Sequence, residues 1–280
     1  MYRLKPEIFN LDFTLDCGQV FRWEKDGDWW TGVIGDQVIR LSQDRSGLLV
    51  DSKLPHTFFS RYFRLDDNLP AIYESVNRDL LIDRAINKYR GLRLIRQDPW
   101  ECLISYMLAT ASSIPTIQMR IDLLSQFFGQ ELEDGYFSFP DPETLADADL
   151  SMLDKCKLGF RTERIKAAAR EVASGELDLN GLYSLEYMSA RERLMKLRGI
   201  GEKVADCTLL FAFEKMDAFP VDTHIRQIIQ YYHIDDSFFE SCTNLSRMGD
   251  WGREYFGPYC GYAQQYLFYQ KRVEGFVPLY

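Results

Sequence analysis

The sequence lacks the features that define several large classes of protein. No apolar run approaches the ~20 residues that span a bilayer, and the opening MYRLKPEIFNLDF has no apolar block typical of a secretory signal. The six cysteines form no CxxC pair, which predicts reduced thiols in the cytoplasm and no structural metal or cluster site. The chain also lacks an internal repeat and a low-complexity linker. We therefore expect a cytoplasmic protein with no membrane partner.

Basic residues are scarce relative to acidic ones. The chain has 33 Lys and Arg against 42 Asp and Glu, so its formal net charge is −9. Phosphate binding usually leaves a basic footprint, and this balance argues mildly against a nucleic-acid partner. The charge is unevenly spread, however. Eight carboxylates and no Lys or Arg lie between Glu131 and Asp154, whereas residues 155–170 carry six basic residues and one acid. Local surfaces are therefore the better guide.

The 280 residues can form a full core and two domains. Apolar and polar side chains alternate over residues 28–50, and Gly-Asp and Ser-Gly turn signals interrupt this alternation. The pattern predicts antiparallel hairpins. Residues 55–88 have helical spacing, and the pattern is helical throughout from about Asp98. We predict an α+β fold, with a small antiparallel β domain and flanking helices at 1–92 on a larger all-helical body at 93–280.

Residues 99–113 are apolar nearly all round, which predicts a central buried helix. Asp98 is its expected N-cap, and Pro99 is expected in its first turn. The next segment, IPTIQMRIDLLSQFFG, is amphipathic and ends at Gly129. These patterns predict the helical body but not its function.

Two helical patterns meet at Gly199-Ile200-Gly201 and predict a helix–hairpin–helix over about residues 189–215. The glycines would permit positive φ and leave the turn amides uncovered. Those amides and the N-terminus of the second helix suit a DNA backbone phosphate, and Ile200 would point inward to anchor the turn. Hairpins with glycine at the turn also occur in many helical proteins, so this motif alone leaves the function open.

Lys203 and Asp222 each permit two interpretations. Lys203 is either an exposed cation or a nucleophile at the start of the second helix, where the helix dipole disfavours the charged amine. Asp222 is a preferred residue for capping the following helix. The helix between them could also bring the two together as a Lys–Asp pair.

The stretches LRGIGEKVADC and FPVDTH resemble the helix–hairpin–helix DNA glycosylase superfamily. Three further stretches, at 13–23, 92–113 and 257–269, narrow the resemblance to the 8-oxoguanine DNA glycosylase family. The resemblance runs in order from about residue 10 to 270. It implies that Lys203 attacks C1′ of the damaged nucleoside and forms a Schiff base, with strand nicking by β-elimination. Asp222 would stabilise the developing positive charge.

The resemblance also implies a pocket for an extruded base. Phe268 would stack on one face of the base and Cys207 on the other, and Gln264 would bind its Watson–Crick edge. The carbonyl of Gly18 would accept a hydrogen bond from the N7–H that 8-oxoguanine has and guanine lacks. Without the resemblance, Phe268 and Cys207 would be interpreted as core residues, Gly18 as a turn glycine and Gln264 as a surface residue.

The family's remaining DNA contacts fall in several parts of this chain. His224 would reach a phosphate, Phe160 would wedge the duplex, and Arg161 would contact the cytosine opposite the lesion. The implied DNA-binding residues are Ala111, Phe160, Arg161, Gly199, Gly201 and His224. Otherwise Arg161 would belong to a solvated face, and His224 would be a cap or a satisfied polar residue.

Two positions depart from the family pattern. Eukaryotic members carry an asparagine run where this chain has Ala111-Ser112-Ser113, and an ungapped alignment places Thr116 where a second arginine contacts the opposite cytosine. We therefore expect relaxed discrimination of the opposite base. The expected partner is double-stranded DNA containing 8-oxoguanine, bound by a monomer. No cofactor is expected to be required, although a cation could bridge the hairpin and a DNA phosphate. The expected location is the nucleoid in a prokaryotic cell, and the nucleus or an organelle otherwise.

Other interpretations are weaker. Endonuclease-III-like and adenine-specific glycosylases usually carry four closely spaced C-terminal cysteines for an iron–sulfur cluster, whereas this chain has only Cys242 and Cys260 there. Alkyl-base glycosylases usually lack the lysine. A non-catalytic DNA-binding module has no use for both Lys203 and a base pocket. A helical metabolic enzyme would fit the acidic charge but not the ordered match of these stretches.

Overall fold

The computed structural model describes residues 1–232 and 245–275. Near the N-terminus it contains a five-stranded antiparallel sheet with the strand order β1-β5-β4-β3-β2. The strands are β1 Tyr2–Leu4, β2 Trp23–Asp26, β3 Trp29–Ile34, β4 Gln37–Asp44 and β5 Gly47–Asp51.

The predicted hairpins are confirmed. Val33 pairs with Val38 across the Gly35-Asp36 turn, and Leu41 pairs with Val50 on the next strand. Leu41 and Val50 are fully buried in a small core that also contains Phe59. The alternation of apolar and polar residues therefore places one side of the sheet against the rest of the N-terminal part.

Helices make up most of the remaining chain, and the α+β fold class is confirmed. The boundary at residue 92 stays a prediction. The helices are α1 Leu11–Asp16, α2 His56–Tyr62, α3 Leu69–Val76, α4 Leu80–Lys88, α5 Pro99–Leu108, α6 Ile114–Phe128, α7 Pro142–Asp147, α8 Leu150–Lys155, α9 Thr162–Ala173, α10 Tyr187–Met195, α11 Glu202–Ala212, α12 Thr223–Tyr232, α13 Leu245–Phe256 and α14 Cys260–Glu274.

Helix α5 is the buried centre of the body, and it packs against α11. Asp98 caps it as predicted, since its carboxylate accepts a hydrogen bond from the Glu101 amide. The helix ends earlier than the apolar pattern predicts. Ala111 has a φ of 51°, which is incompatible with a right-handed helix, and Ser113 already occupies the N-cap position of α6. The segment 109–113 is therefore a sharp turn between two helices.

The described ranges contain neither a helix long and apolar enough to cross a membrane nor a group of three or more His, Cys, Asp or Glu that could hold a metal ion. The cysteines within these ranges are free and buried. They are Cys17, Cys102, Cys156, Cys207 and Cys260. Cys242 lies outside the described residues.

Candidate active site

The hairpin turn between α10 and α11 contains two glycines. One has a positive φ that favours glycine, and the other has a backbone conformation open to any residue. Gly199 has a φ of 93°, and a β-carbon there would lie 2.4 Å from Cδ of Arg164. Gly201 has φ −100° and ψ −179°, an extended conformation that any residue adopts, so of the two glycines only Gly199 uses the positive φ that glycine permits. Gly201 is exposed, and Ile200 is buried as predicted.

A buried ion pair holds the two helices of the hairpin together. Nε of Arg191 on α10 donates to Asp206 on α11 at 2.8 Å, and the Tyr187 hydroxyl donates to the same carboxylate at 2.7 Å. Arg191 also lies 3.4 Å from Glu202. Burial raises the pKa of Asp206, while Arg191 and Tyr187 act in the opposite direction. Because Asp206 follows Lys203 by one helical turn, this pair also fixes the start of α11.

Lys203 is the second residue of α11 and is half-buried. Its Nζ lies 5.1 Å from the ring centroid of Tyr106 on α5. Within the described part of the chain, Nζ has no hydrogen-bond or ion-pair partner. The Tyr106 hydroxyl donates to the carbonyl of Gln19 at 3.1 Å, which connects this aromatic ring to the segment that contains Gly18. The amine is therefore available to a ligand.

Asp222 acts as the predicted helix cap. Its Oδ1 accepts a hydrogen bond from the Ile225 amide at 2.8 Å. Burial raises the pKa of the Cys207 thiol to about 12; the charge of Lys203 lowers this pKa, and that of Asp222 raises it. Cys207 therefore stays a neutral thiol near pH 7, and it follows Lys203 by one turn on the same face of α11.

Gly18 is in contact with the C-terminal helix, far along the sequence. It has a φ of 83°, and a β-carbon there would lie 3.3 Å from Cε1 of Phe268 and 3.2 Å from Cδ1 of Ile114. Phe268 is half-buried, and its ring centroid lies 5.6 Å from that of His224 in an edge-to-face arrangement. Gly18, Phe268 and His224 thus come together from three separate parts of the chain.

Two buried polar atoms in this region have no hydrogen-bond partner among the residues that the structure describes. They are Oε1 of Gln264 and Nδ1 of His224. Gln264 precedes Phe268 by four residues on α14, so both lie on one face of that helix. Gln264 is buried, which excludes the alternative interpretation as a surface residue. Because buried polar groups are nearly always paired, these two atoms indicate a place where a polar ligand binds.

Phe160 and Arg161 differ sharply in exposure. The Phe160 side chain is 57% exposed, whereas Arg161 is 4% exposed. Arg161 donates to the carbonyls of Thr110 and Leu158 and, at 3.0 Å, to the Ser112 hydroxyl. It therefore does not belong to a solvated face, and it ties the turn after α5 to the turn before α9. Ala111, in the first of these turns, is exposed.

Three residues of this region are not apparent from the sequence alone. Tyr106 faces Lys203, Arg164 packs on Gly199, and Gln265 donates to the Cys17 carbonyl at 2.9 Å beside Gly18. Tyr106 is the one tyrosine of the largely apolar helix α5, which is only a weak signal of a functional role. The other two depend on contacts between distant segments, which local patterns do not contain.

Comparison with known proteins identifies the two halves of this architecture. Residues 1–103 match the family model described as 8-oxoguanine DNA glycosylase, N-terminal domain, and residues 112–241 match that described as HhH-GPD superfamily base excision DNA repair protein. A Methanothermobacter thermautotrophicus protein named "Probable N-glycosylase/DNA lyase" is 31% identical, over 70% of this chain and 69% of the relative. The chain belongs to the 8-oxoguanine DNA glycosylase family.

Other members of the 8-oxoguanine DNA glycosylase family match along nearly the whole chain. An Arabidopsis thaliana N-glycosylase/DNA lyase is 29% identical, over 95% of this chain and 78% of the relative. The crystal structure of a Clostridium acetobutylicum 8-oxoguanine glycosylase/lyase, in complex with duplex DNA containing cytosine opposite 8-oxoguanine, has a TM-score of 0.88. The two sequences are 32% identical, and the match covers 96% of this chain and 93% of the crystallised chain. The family resemblance of the sequence motifs is confirmed.

Proposed function

We propose that this enzyme, an N-glycosylase/DNA lyase by its family, extrudes 8-oxoguanine from duplex DNA, excises it and then nicks the strand. The proposal is carried by one observation: the amine of Lys203, at the start of α11, lies over the ring of Tyr106 and has no hydrogen-bond or ion-pair partner among the described residues. The unpaired polar atoms of Gln264 and His224 support it, because an extruded nucleotide supplies groups to satisfy both. In this proposal the ligand is a damaged nucleotide in double-stranded DNA, and the enzyme binds it as a monomer.

The reaction uses the Lys203 amine as nucleophile. In its neutral form Nζ attacks C1′, the bond from C1′ to N9 breaks, and the base leaves with the electron pair. Opening of the sugar then gives a Schiff base between Nζ and C1′. Loss of a C2′ proton and departure of the 3′ phosphate complete the β-elimination, and water releases the lysine. The Asp222 carboxylate stabilises the positive charge that develops on the sugar.

Recognition of the lesion rests on the Gly18 carbonyl. It accepts the N7–H of 8-oxoguanine, whereas guanine would present N7 as a second acceptor, at a cost of about 1–3 kcal/mol. The Gln264 amide binds the Watson–Crick edge, and the base lies between Phe268 and the neutral Cys207 thiol. The left-handed conformation at Gly18 and its contact with Phe268 support this arrangement.

The DNA backbone is held by the hairpin amides at Gly199–Gly201 and by His224. The chemistry requires no cofactor, although a cation can bridge the hairpin and a phosphate. On the opposite strand, Phe160 wedges the stack. Arg161 was expected to contact the opposite base, but it is buried and donates to Thr110, Leu158 and Ser112, so its role is to hold the turn beneath Phe160. Ala111 and Thr116 offer shorter side chains toward the opposite strand than the asparagine and arginine of eukaryotic relatives, so we infer that discrimination of the opposite base is relaxed.

Borohydride trapping on a duplex containing 8-oxoguanine tests the nucleophile. We expect a covalent adduct with the wild-type protein and none with Lys203→Gln, because reduction fixes only the Schiff base. Lys196→Gln is the matched control, since Lys196 is an exposed lysine just before the hairpin turn and should leave trapping unchanged. Equal trapping by wild type and Lys203→Gln, or no adduct and no base release by wild type, would refute the mechanism.

A further inference from the structure

Three arginines of this protein lie close together without a carboxylate partner. Within the described residues, Arg120, Arg161 and Arg164 take part in no ion pair, although the chain carries an excess of acids. Burial and the nearby guanidiniums of Arg120 and Arg164 lower the pKa of Arg161. A cluster of like charges without a counter-charge destabilises the free protein, and this indicates that an anionic ligand supplies the missing charge.

Two of the three guanidiniums are occupied by protein groups. Arg120 donates to the Ser112 hydroxyl at 2.6 Å and to the Lys157 carbonyl at 2.9 Å. Arg161 donates to the same hydroxyl at 3.0 Å and is almost fully buried. Arg120 and Arg161 thus brace the turns on either side of Phe160. Arg164 differs, since no group within residues 1–232 and 245–275 accepts a hydrogen bond from its guanidinium.

Arg164 lies between the wedge and the hairpin. The carbon stem of Arg164 packs on Gly199, where a β-carbon would lie 2.4 Å from Cδ, and its guanidinium carbon lies 5.1 Å from the ring centroid of Phe160. The stem is therefore fixed by the hairpin turn, and the half-buried head is left next to the exposed ring. A planar guanidinium with its donors free matches the geometry of a phosphate.

We propose that Arg164 binds a backbone phosphate of the DNA, next to the hairpin amides, and so sets the distance between the hairpin and the Phe160 wedge. This inference rests on the proposed function, because it takes duplex DNA as the ligand. Contacts to phosphate carry no sequence information, so the contribution of Arg164 is the same for damaged and undamaged duplexes and for any opposite base.

Binding measured against salt concentration tests this assignment. In a Lys203→Gln background, we expect Arg164→Met to reduce the slope of log K against log salt by about 0.9, the value for one phosphate contact. The reduction should be equal on an 8-oxoguanine duplex and on its undamaged counterpart. Arg164→Lys, which keeps the charge and the stem, should retain most of the wild-type slope.

Arg170→Met is the matched control. It removes the same charge from the same helix at an exposed position and should leave the slope unchanged. If Arg164→Met does not fold, as judged by its thermal unfolding, Arg164→Gln removes the same charge. An unchanged slope would overturn the proposal, as would an effect confined to one opposite base. Wild-type borohydride trapping, measured separately, reports on the proposed function, so the two failures are distinguishable.

Discussion

Ala111 adopts a conformation that its β-carbon disfavours. Its φ of 51° lies in the left-handed region, which asparagine and glycine occupy at lower cost than alanine. The position lies in the turn between α5 and α6. Arg161 holds this turn in place by donating hydrogen bonds to the Thr110 carbonyl and the Ser112 hydroxyl. Thr116 lies in the first turn of α6, and its hydroxyl is hydrogen-bonded to that of Ser113 at 2.9 Å. Both side chains are short, and both are expected to face the strand opposite the lesion.

Cleavage of four duplexes tests the role of these two residues. We expect the wild type to cleave 8-oxoguanine at comparable rates opposite cytosine, adenine, guanine and thymine, because no long side chain at 111 or 116 reads the opposite base. Ala111→Asn with Thr116→Arg should shift the preference toward cytosine. Ala111→Asn alone should also raise the unfolding free energy by up to about 1 kcal/mol, by relieving the left-handed alanine. A strong cytosine preference of the wild type would contradict this interpretation.

At the scale of the element, the two glycines of the hairpin turn have different roles. Gly199 is needed for the fold of the turn, whereas Gly201 is available to a ligand. Gly199 combines a φ of 93° with contact to Arg164. Gly201 is extended, and no described residue lies within 4 Å of the position that a β-carbon there would take. The hairpin is otherwise held by the Arg191–Asp206 pair, so its turn is the part that substitutions can alter selectively.

The two glycine-to-alanine variants should therefore fail in different ways. Gly199→Ala should lower the unfolding free energy by about 1–2 kcal/mol, because alanine disfavours positive φ, and the contact with Arg164 adds to this. Gly201→Ala should leave the unfolding free energy nearly unchanged but weaken DNA binding, since its methyl group would stand between the turn amides and a phosphate. Urea unfolding and duplex binding measure the two effects. Equal losses of stability would contradict the assignment.

At the scale of the whole molecule, Glu214 joins the N-terminal part to the helix that carries Lys203. It follows α11, and its carboxylate lies 3.5 Å from Nη1 of Arg64 and 3.3 Å from Nη2 of Arg61. The Arg64 side chain is 2% exposed, and burial lowers the pKa of its guanidinium. The backbone adds a further link, since the Gln97 amide donates to the carbonyl of Phe211 at 2.9 Å.

Glu214→Gln should lower the unfolding free energy by about 1–3 kcal/mol, because it leaves the buried Arg64 with a weaker partner. Arg61→Gln is the control: Arg61 pairs with the same carboxylate but its side chain is 72% exposed, so its loss should change stability by only about 0–1 kcal/mol. Urea unfolding measures both variants. Similar losses in the two would show that Arg64 does not depend on Glu214.

Local patterns in the sequence determined several elements of this protein. The hairpins of residues 28–50, the Asp98 and Asp222 caps and the Gly-Ile-Gly turn are encoded by neighbouring residues, because alternation, capping and glycine conformation act over a few positions. The same short range placed Lys203 at the start of a helix. The family motifs then assigned roles to Gly18, Gln264 and Phe268, but not their positions in space.

Only the tertiary structure decided how these residues meet. It brought Gly18 against Phe268 and His224, placed Tyr106 beneath Lys203, and buried Arg161 under Phe160. It also ended α5 at Leu108, although the apolar pattern continues. Each of these outcomes depends on packing between segments distant in sequence. Their physical cause is the burial of side chains against a particular neighbour, which no local periodicity specifies.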